Sequence, residues 1–234
     1  MSYIFLALQG SYSSTSITLF RNNEEILTLG GESIRASSQL VPELDQLLKK
    51  TGHTLSDIQF MAVEQGPGAF TSLRVAITTA NAIGFATNIP LVGIDGLHAL
   101  AHEAAQSLCP SETTHIVPIL NAYNDEVYYG IYPLIGTECG QALEHGYEKV
   151  SALRQKLVSQ PAIKPFVLGN GTILHHEFFK QAFGENQVLT NKKHMQSSIQ
   201  NIARMGLAAW KSNHEQGEKK LTPLYLKTQT FATR

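Results

Sequence analysis

Three groups of residues have types and spacings suited to chemistry. The first is Glu64-Gln65-Gly66-Pro67-Gly68-Ala69-Phe70-Thr71-Ser72-Leu73-Arg74, which joins a short apolar run to a helical stretch. Glycines at such a junction permit tight turning, and the first amides of a helix can hold an anion. No GK[ST] follows, so this is not a P-loop. A glycine-shaped strand-to-helix turn, with Thr71 or Ser72 capping the helix, accounts for the same residues. The second group is His98 and His102, four apart in a helical stretch and therefore on one face. That is the spacing of a two-histidine metal site. There is no HExxH, and Glu103 points elsewhere on the helix, so the plainer reading is two surface or half-buried histidines. The third is the cysteines, Cys109 and Cys139, which show neither CxxC nor metal-finger spacing. No GxSxG elbow is present, and the adjacent side chains of His175-His176-Glu177 diverge.

The elements that must position these residues follow from periodicity. Residues 3–8 read as a central strand, and residues 14–20 and 24–29, joined at Arg21-Asn22-Asn23, as a hairpin. Leu40, Val41, Leu44, Leu47 and Leu48 recur at helical spacing, with Lys49 and Lys50 late and Gly52 as terminator. Residues 60–63 and 91–94 read as strands, and residues 71–86 and 97–108 as helices. The second half is less clear: strands at 115–120, 126–132 and 166–168, helices at 150–159, 173–183 and 198–212, loop at 136–147, and a polar linker from 213 to 220. A hairpin followed by βαβ crossovers predicts a mixed sheet carrying helices. The expected division is an N-terminal lobe of residues 1–107 and a C-terminal lobe of residues 108–234, with the tail free to return to the first.

The helix after the glycine turn has an unusual composition. Between Val75 and Ile94 there is no Asp, Glu, Lys or Arg. Leu73, Ile77, Ala80 and Gly84 fall on one side, and Val75, Thr79, Ala82 and Ala86 on another. A helix apolar on several faces is a buried core helix or covers a partner. On the second reading, Leu40, Leu44, Leu47, Ile77, Ala80, Ala82 and Gly84 form the partner interface.

Composition narrows the function. Of 234 residues, 43% are hydrophobic and 16% charged, with a formal net charge of −1, which describes a globular chain and not a disordered one. The basic pairs Lys49-Lys50, Lys192-Lys193 and Lys219-Lys220 are too short to grip a phosphate backbone, so any RNA contact is expected through a partner. Two scattered cysteines and an N-terminus without a positive n-region suggest reduced thiols in the cytoplasm. No run reaches the roughly 18–20 apolar residues of a membrane helix.

Residues 66–74, GPGAFTSLR, resemble the GPGSFTG-x-R signature of the TsaB family, formerly labelled glycoprotease-like. Gly66, Pro67, Gly68, Phe70, Thr71 and Arg74 carry the match, and Ser72 replaces the second glycine. Around them, Leu40–Lys50 with Pro42, residues 55–57, Asn88–Ile94, Asn121–Tyr129 with Glu126, Val127 and Tyr128, and Pro223–Lys227 resemble further family segments. The resemblance implies an actin-like α/β fold of two lobes with mixed sheets flanked by helices. It also implies a non-catalytic role supporting TsaD in forming N6-threonylcarbamoyladenosine at position 37 of tRNA. The implied partners are TsaD, a TsaE-type ATPase and a second copy of the chain when alone; tRNA is reached only through the complex.

Two departures bear on chemistry. Gln9 and Asn121 stand where actin-like ATPases and the family's IDAR segment carry aspartates, and Mg²⁺ needs such acids. The metal-binding HxxxH of TsaD would fall at Gly96 and Leu100 here, two residues out of register with His98 and His102. The expectation is therefore no catalytic residue, no metal and no cofactor. The rivals are an actin-like kinase or ATPase and a metal-dependent peptidase.

Overall fold

A computed structural model describes residues 2–10, 14–32, 36–107, 111–191 and 194–226. The chain divides into two compact units, one running to Ala99 and joined by Ser197–Pro223, the other formed by Leu100–Gln196. The sequence reading divides the chain at 107/108; contacts within the fold divide it at Ala99 and Ser197.

In the first unit β1 (Ile4–Gln9), β2 (Ser14–Arg21), β3 (Glu24–Glu32), β4 (Met61–Glu64) and β5 (Leu91–Ile94) form one sheet in the order β3-β2-β1-β4-β5. The hairpin pairs are antiparallel, while β1, β4 and β5 run parallel. Side chains alternate across a strand, so the unbroken apolar run of β1 serves both faces. Leu6 and Leu8 join Leu44 and Leu47 of α1 (Ala36–Thr51) and Leu73 and Ile77 of α2 (Phe70–Thr87). Phe5 and Ala7 join Ile202, Leu207 and Trp210 of α7 (Ile199–Ser212). On that face Phe20, Phe5, Phe60 and Trp210 stack in succession, with centroids 5.5, 4.4 and 4.8 Å apart. Gly206 lets α7 lie close on the sheet: a Cβ there would sit 2.4 Å from that of Ala62.

α3 (Gly96–Ser107) leads into the second unit, whose sheet holds β6 (His115–Asn121), β7 (Glu126–Ile135), β8 (Glu138–Cys139), β9 (Glu144–Lys149) and β10 (Pro165–Leu168). β10 pairs parallel with β6, β6 antiparallel with β7, and β7 carries both β9 and β8. Its core joins Val117, Ile119 and Tyr129 to α4 (Val150–Val158) and α6 (His176–Phe183), with α5 (Asn170–Leu174) preceding α6. The result is an α/β arrangement of mixed sheets flanked by helices, as the resemblance implies.

Three expectations need correction. The stretch 136–147, read as loop, contains β8 and the start of β9. The β9 sequence EHGYEK has no apolar alternation, and its register against β7 (Tyr128↔Tyr147, Gly130↔His145) defines it instead. The helix expected over 173–183 is two, broken at His175. The linker 213–220 is docked: Glu218 exchanges backbone hydrogen bonds with Leu91 at 2.7 and 2.9 Å.

Candidate functional site

The glycine turn sits where parallel β4 hands over to α2. Gly66 has φ +93°, a region costly for side-chain-bearing residues, and a Cβ there would meet Leu73 Cδ2 at 2.6 Å. Its carbonyl accepts the Gly96 amide at 2.8 Å, and the Gln65 amide reaches Ile94 O at 2.8 Å. Pro67 follows in a cis peptide and is buried; Gly68 is half-buried. The helix N-cap is Ala69, which makes no side-chain cap bond. Thr71 and Ser72 lie two and three positions past the N-cap and occupy the first turn. The Arg74 guanidinium stacks 3.5 Å above the exposed Phe70 ring, an arrangement of cation on aromatic face. The signature residues thus shape the turn and the first exposed turn of α2.

At the ends of the central strands β1 and β6, each within its own unit, side-chain amides serve the backbone. Buried Gln9 donates from Nε2 to Ser197 O at 2.7 Å. In the second unit Asn121 Oδ1 accepts the Tyr123 amide at 2.9 Å, and the Asn121 amide donates to Asn170 Oδ1 at 2.7 Å. Tyr123, Asn124 and Asp125 all have positive φ, which forms this tight β6–β7 connection. Among the described residues no three His, Cys, Asp or Glu side chains come together as a metal-holding group. His98 and His102 are half-buried on α3. Cys139 is half-buried, with Sγ 3.6 Å from Gly140 O; Cys109 lies outside the described residues. No helix among them is long and apolar enough to cross a membrane.

The expected interface residues are placed differently from the reading above. Leu40, Leu44, Leu47, Ile77 and Ala80 are at most 5% exposed, and Gly84 is buried with them in the chain's own core. Their helical periodicity marks the side facing the sheet. Of that set only Ala82 is exposed. The outward side of α2 is instead Phe70, Arg74, Thr78, Ala82 and Phe85, spaced by three or four, with Phe85 88% exposed and Val41 of the adjacent α1 58% exposed. A bare phenyl ring on a helix end, beside further apolar surface, is the kind of feature an interaction site leaves uncovered.

The structure also shows a clasp that no short-range pattern signals. Residues 213–222, after α7, run along the sheet edge to α2. Asn81 Nδ2 donates to Leu221 O at 2.9 Å, and Asn81 Oδ1 accepts the Leu221 amide at 2.8 Å. Leu221 is 1% exposed and part of the core. Gln65 Nε2 donates to Thr222 O at 2.9 Å. The turn-and-helix unit is thereby held by the sheet on its inner side and by this strap on one flank.

A model of the family "TsaD: tRNA N6-adenosine threonylcarbamoyltransferase" matches residues 33–231. The chain belongs to this family. Its resemblance to the TsaB proteins holds. The TsaB protein of Haemophilus influenzae is 24% identical over 230 residues, covering 96% of this chain and 93% of that one. The TsaB protein of Buchnera aphidicola from Schizaphis graminum is 29% identical over 133 residues, covering 56% of this chain and 61% of that protein. The tRNA N6-adenosine threonylcarbamoyltransferase of Bacillus subtilis is 27% identical over 168 residues, and the match spans 48% of its length. The solved structure of YeaZ from Pseudomonas aeruginosa superposes with a TM-score of 0.73 over 96% of this chain and all of that one, at 23% identity.

Proposed function

We propose that this protein is the accessory partner of a TsaD-type transferase in forming N6-threonylcarbamoyladenosine on tRNA, and that it takes no part in the chemistry. The observation that carries this reading is the outward side of α1 and α2, where Val41, Phe70, Ala82 and Phe85 lie exposed. The family match and the TsaB likeness supply the partner's identity. Binding acts by favouring the active arrangement of the transferase, through higher affinity for that arrangement than for others. The resemblance extends the set of partners to a TsaE-type ATPase, and to a second copy on the same face when the transferase is absent. tRNA is met through the complex, consistent with a net charge of −1. The rival ATPase or kinase reading requires acids where Gln9 and Asn121 hold backbone groups with amides.

The test is a reconstituted modification assay with the transferase, plus direct binding. Omitting this chain should abolish modification. Phe85→Asp places a charge at an exposed position, so the variant should keep the wild-type circular dichroism. An unpaired charge in an apolar contact costs several kcal/mol, enough to take a micromolar complex beyond detection. Wild-type binding and modification by a folded Phe85→Asp protein would refute the assignment of this face.

A further inference from the structure

A cavity of about 530 Å³ lies at the far end of α2 from the glycine turn. Phe85, Ile89 and Pro90 form one wall; Glu215, Glu218 and Lys219 of the strap line the other. The strap walls the cavity because it is fixed on both sides: Glu218 bridges to Leu91, and Leu221 is clasped by Asn81.

Three independent features give this cavity a preference for positive charge. It opens at a helix C-terminus, the negative end of the macrodipole. α2 has no basic residue in its last turn and ends in an αL residue, Asn88, with φ 59°, so no side chain of its own last turn offsets that end of the dipole. Second, two carboxylates stand on the strap wall against one ammonium. Glu215 accepts the Tyr3 hydroxyl at 2.6 Å, which fixes that side chain, and Glu218 is anchored by its backbone with its side chain exposed. Third, Phe85 presents a ring at the rim, and an aromatic face attracts a cation. The apolar wall meanwhile suits a hydrocarbon stem. A charged head on an apolar stem is what arginine and lysine present.

The same Phe85 ends the outward stripe of α2, so cavity and stripe form one continuous surface. We infer that the cavity between the end of α2 and the strap receives an arginine or lysine side chain of the TsaD-type partner, with Phe85 and Pro90 against its stem and Glu218 and Glu215 facing its charge. This rests on the partner face assigned above and adds to it a polar anchor supplied by the strap.

The experiment measures affinity of the full-length chain for the purified transferase at fixed ionic strength. Glu218→Gln should weaken binding roughly threefold to tenfold, since it removes one of the charges facing the partner. Lys219→Gln should strengthen binding by a few-fold, because it removes the competing ammonium. Lys220→Gln, one residue outside the cavity lining, should leave affinity unchanged. None of these exposed side chains supports the fold, and circular dichroism should show that. Unchanged affinity in both Glu218→Gln and Lys219→Gln would overturn the inference while leaving the partner face standing. The opposite signs, with Glu218→Gln tighter and Lys219→Gln weaker, would overturn it in favour of an anionic occupant. A wild-type chain that fails to bind the transferase would remove the partner reading itself, and the inference with it.

Discussion

The two sheets of this chain repeat one strand order up to its fifth position. The first unit reads β3-β2-β1-β4-β5; the second reads β9-β7-β6-β10, with β8 also on β7. In each, the central strand pairs antiparallel with its hairpin partner and parallel with the strand on its other side. At the fifth place the first unit has β5, paired with β4 over four residues. The second has, among the described residues, the parallel bridge Val167↔Val188. The crossover leading to that place differs accordingly. In the first unit it is α2, 18 residues in one helix; in the second it is α5 and α6, of 5 and 8 residues, broken at His175. A full strand gives a long helix a firm landing point, and a long helix has room for an inward side and an outward one. A single bridge anchors no such helix. The difference explains why the exposed apolar stripe belongs to the first unit.

If each sheet supports its own core, damage to one should be read mainly by that unit. Phe60 is fully buried between Phe5 and Trp210, and Phe179 is fully buried in the second core. Truncation of either to alanine should cost about 3–5 kcal/mol. The sole tryptophan, Trp210, reports on the first unit. Phe60→Ala should therefore lower both the Trp210 fluorescence transition and the far-ultraviolet circular dichroism transition. Phe179→Ala should lower the latter much more than the former. Equal shifts in both signals for Phe179→Ala would mean that the units melt as one, and would break the comparison.

A finer contrast lies at the ends of the two central strands, β1 and β6. Gln9 acts as a donor to Ser197 O, and Asn121 as an acceptor from the Tyr123 amide. A carboxylate can accept but not donate. Gln9→Asp should thus cost about 2–3 kcal/mol, by losing a buried bond and setting a charge against a carbonyl oxygen. Asn121→Asp, which keeps the acceptor for the Tyr123 amide, should cost clearly less than Gln9→Asp. Denaturant midpoints would measure both. Similar losses at the two positions would show that the strand ends are not used in the opposite ways described.

Much of this architecture was legible in the sequence, and the reasons for the misses are specific. β1, α2 and α7 carry strong local patterns, and residues 66–74 mark the strand-to-helix turn. β9 does not, because its half-exposed polar residues are defined by pairing with β7. The strap was invisible for a similar reason: its anchors, Asn81 to Leu221 and Gln65 to Thr222, are 140 and 157 residues apart. All of the expected interface set except Ala82 is buried in the chain's own core. Periodicity located a face made of Leu44, Leu47, Ile77 and Ala80, but apolar periodicity on a helix beside a sheet identifies the inward side. Exposed Phe85 interrupts no pattern, so periodicity does not single it out.

The smallest expected effect distinguishes how the two hairpins are held. In the first unit Thr18 and Thr28 share a neutral hydroxyl contact at 2.8 Å. In the second, Tyr129, Glu144 and Glu148 converge on Lys156, whose Nζ lies 2.5 Å from each carboxylate. Burial opposes ionisation of Glu144, but the hydrogen bonds from Lys156 and Tyr129 outweigh it and hold the carboxyl below its ordinary range. A depressed carboxylate contributes stability above its unfolded pKa, near 4.3, and that contribution is lost as pH falls through the folded value. Glu144 is 40% exposed, so solvent screening keeps the contribution under about 1 kcal/mol. Lys156→Met should therefore melt lower than wild type at pH 7 by no more than about 2–4 °C. That gap should narrow as pH drops from about 5 towards 3 and also at high salt, while the Trp210 signal of the first unit stays indifferent to the substitution. A gap of constant size from pH 7 to pH 3 would show that Lys156 acts by packing its stem against the Tyr129 ring, 5.0 Å from its Nζ, and not by its charge.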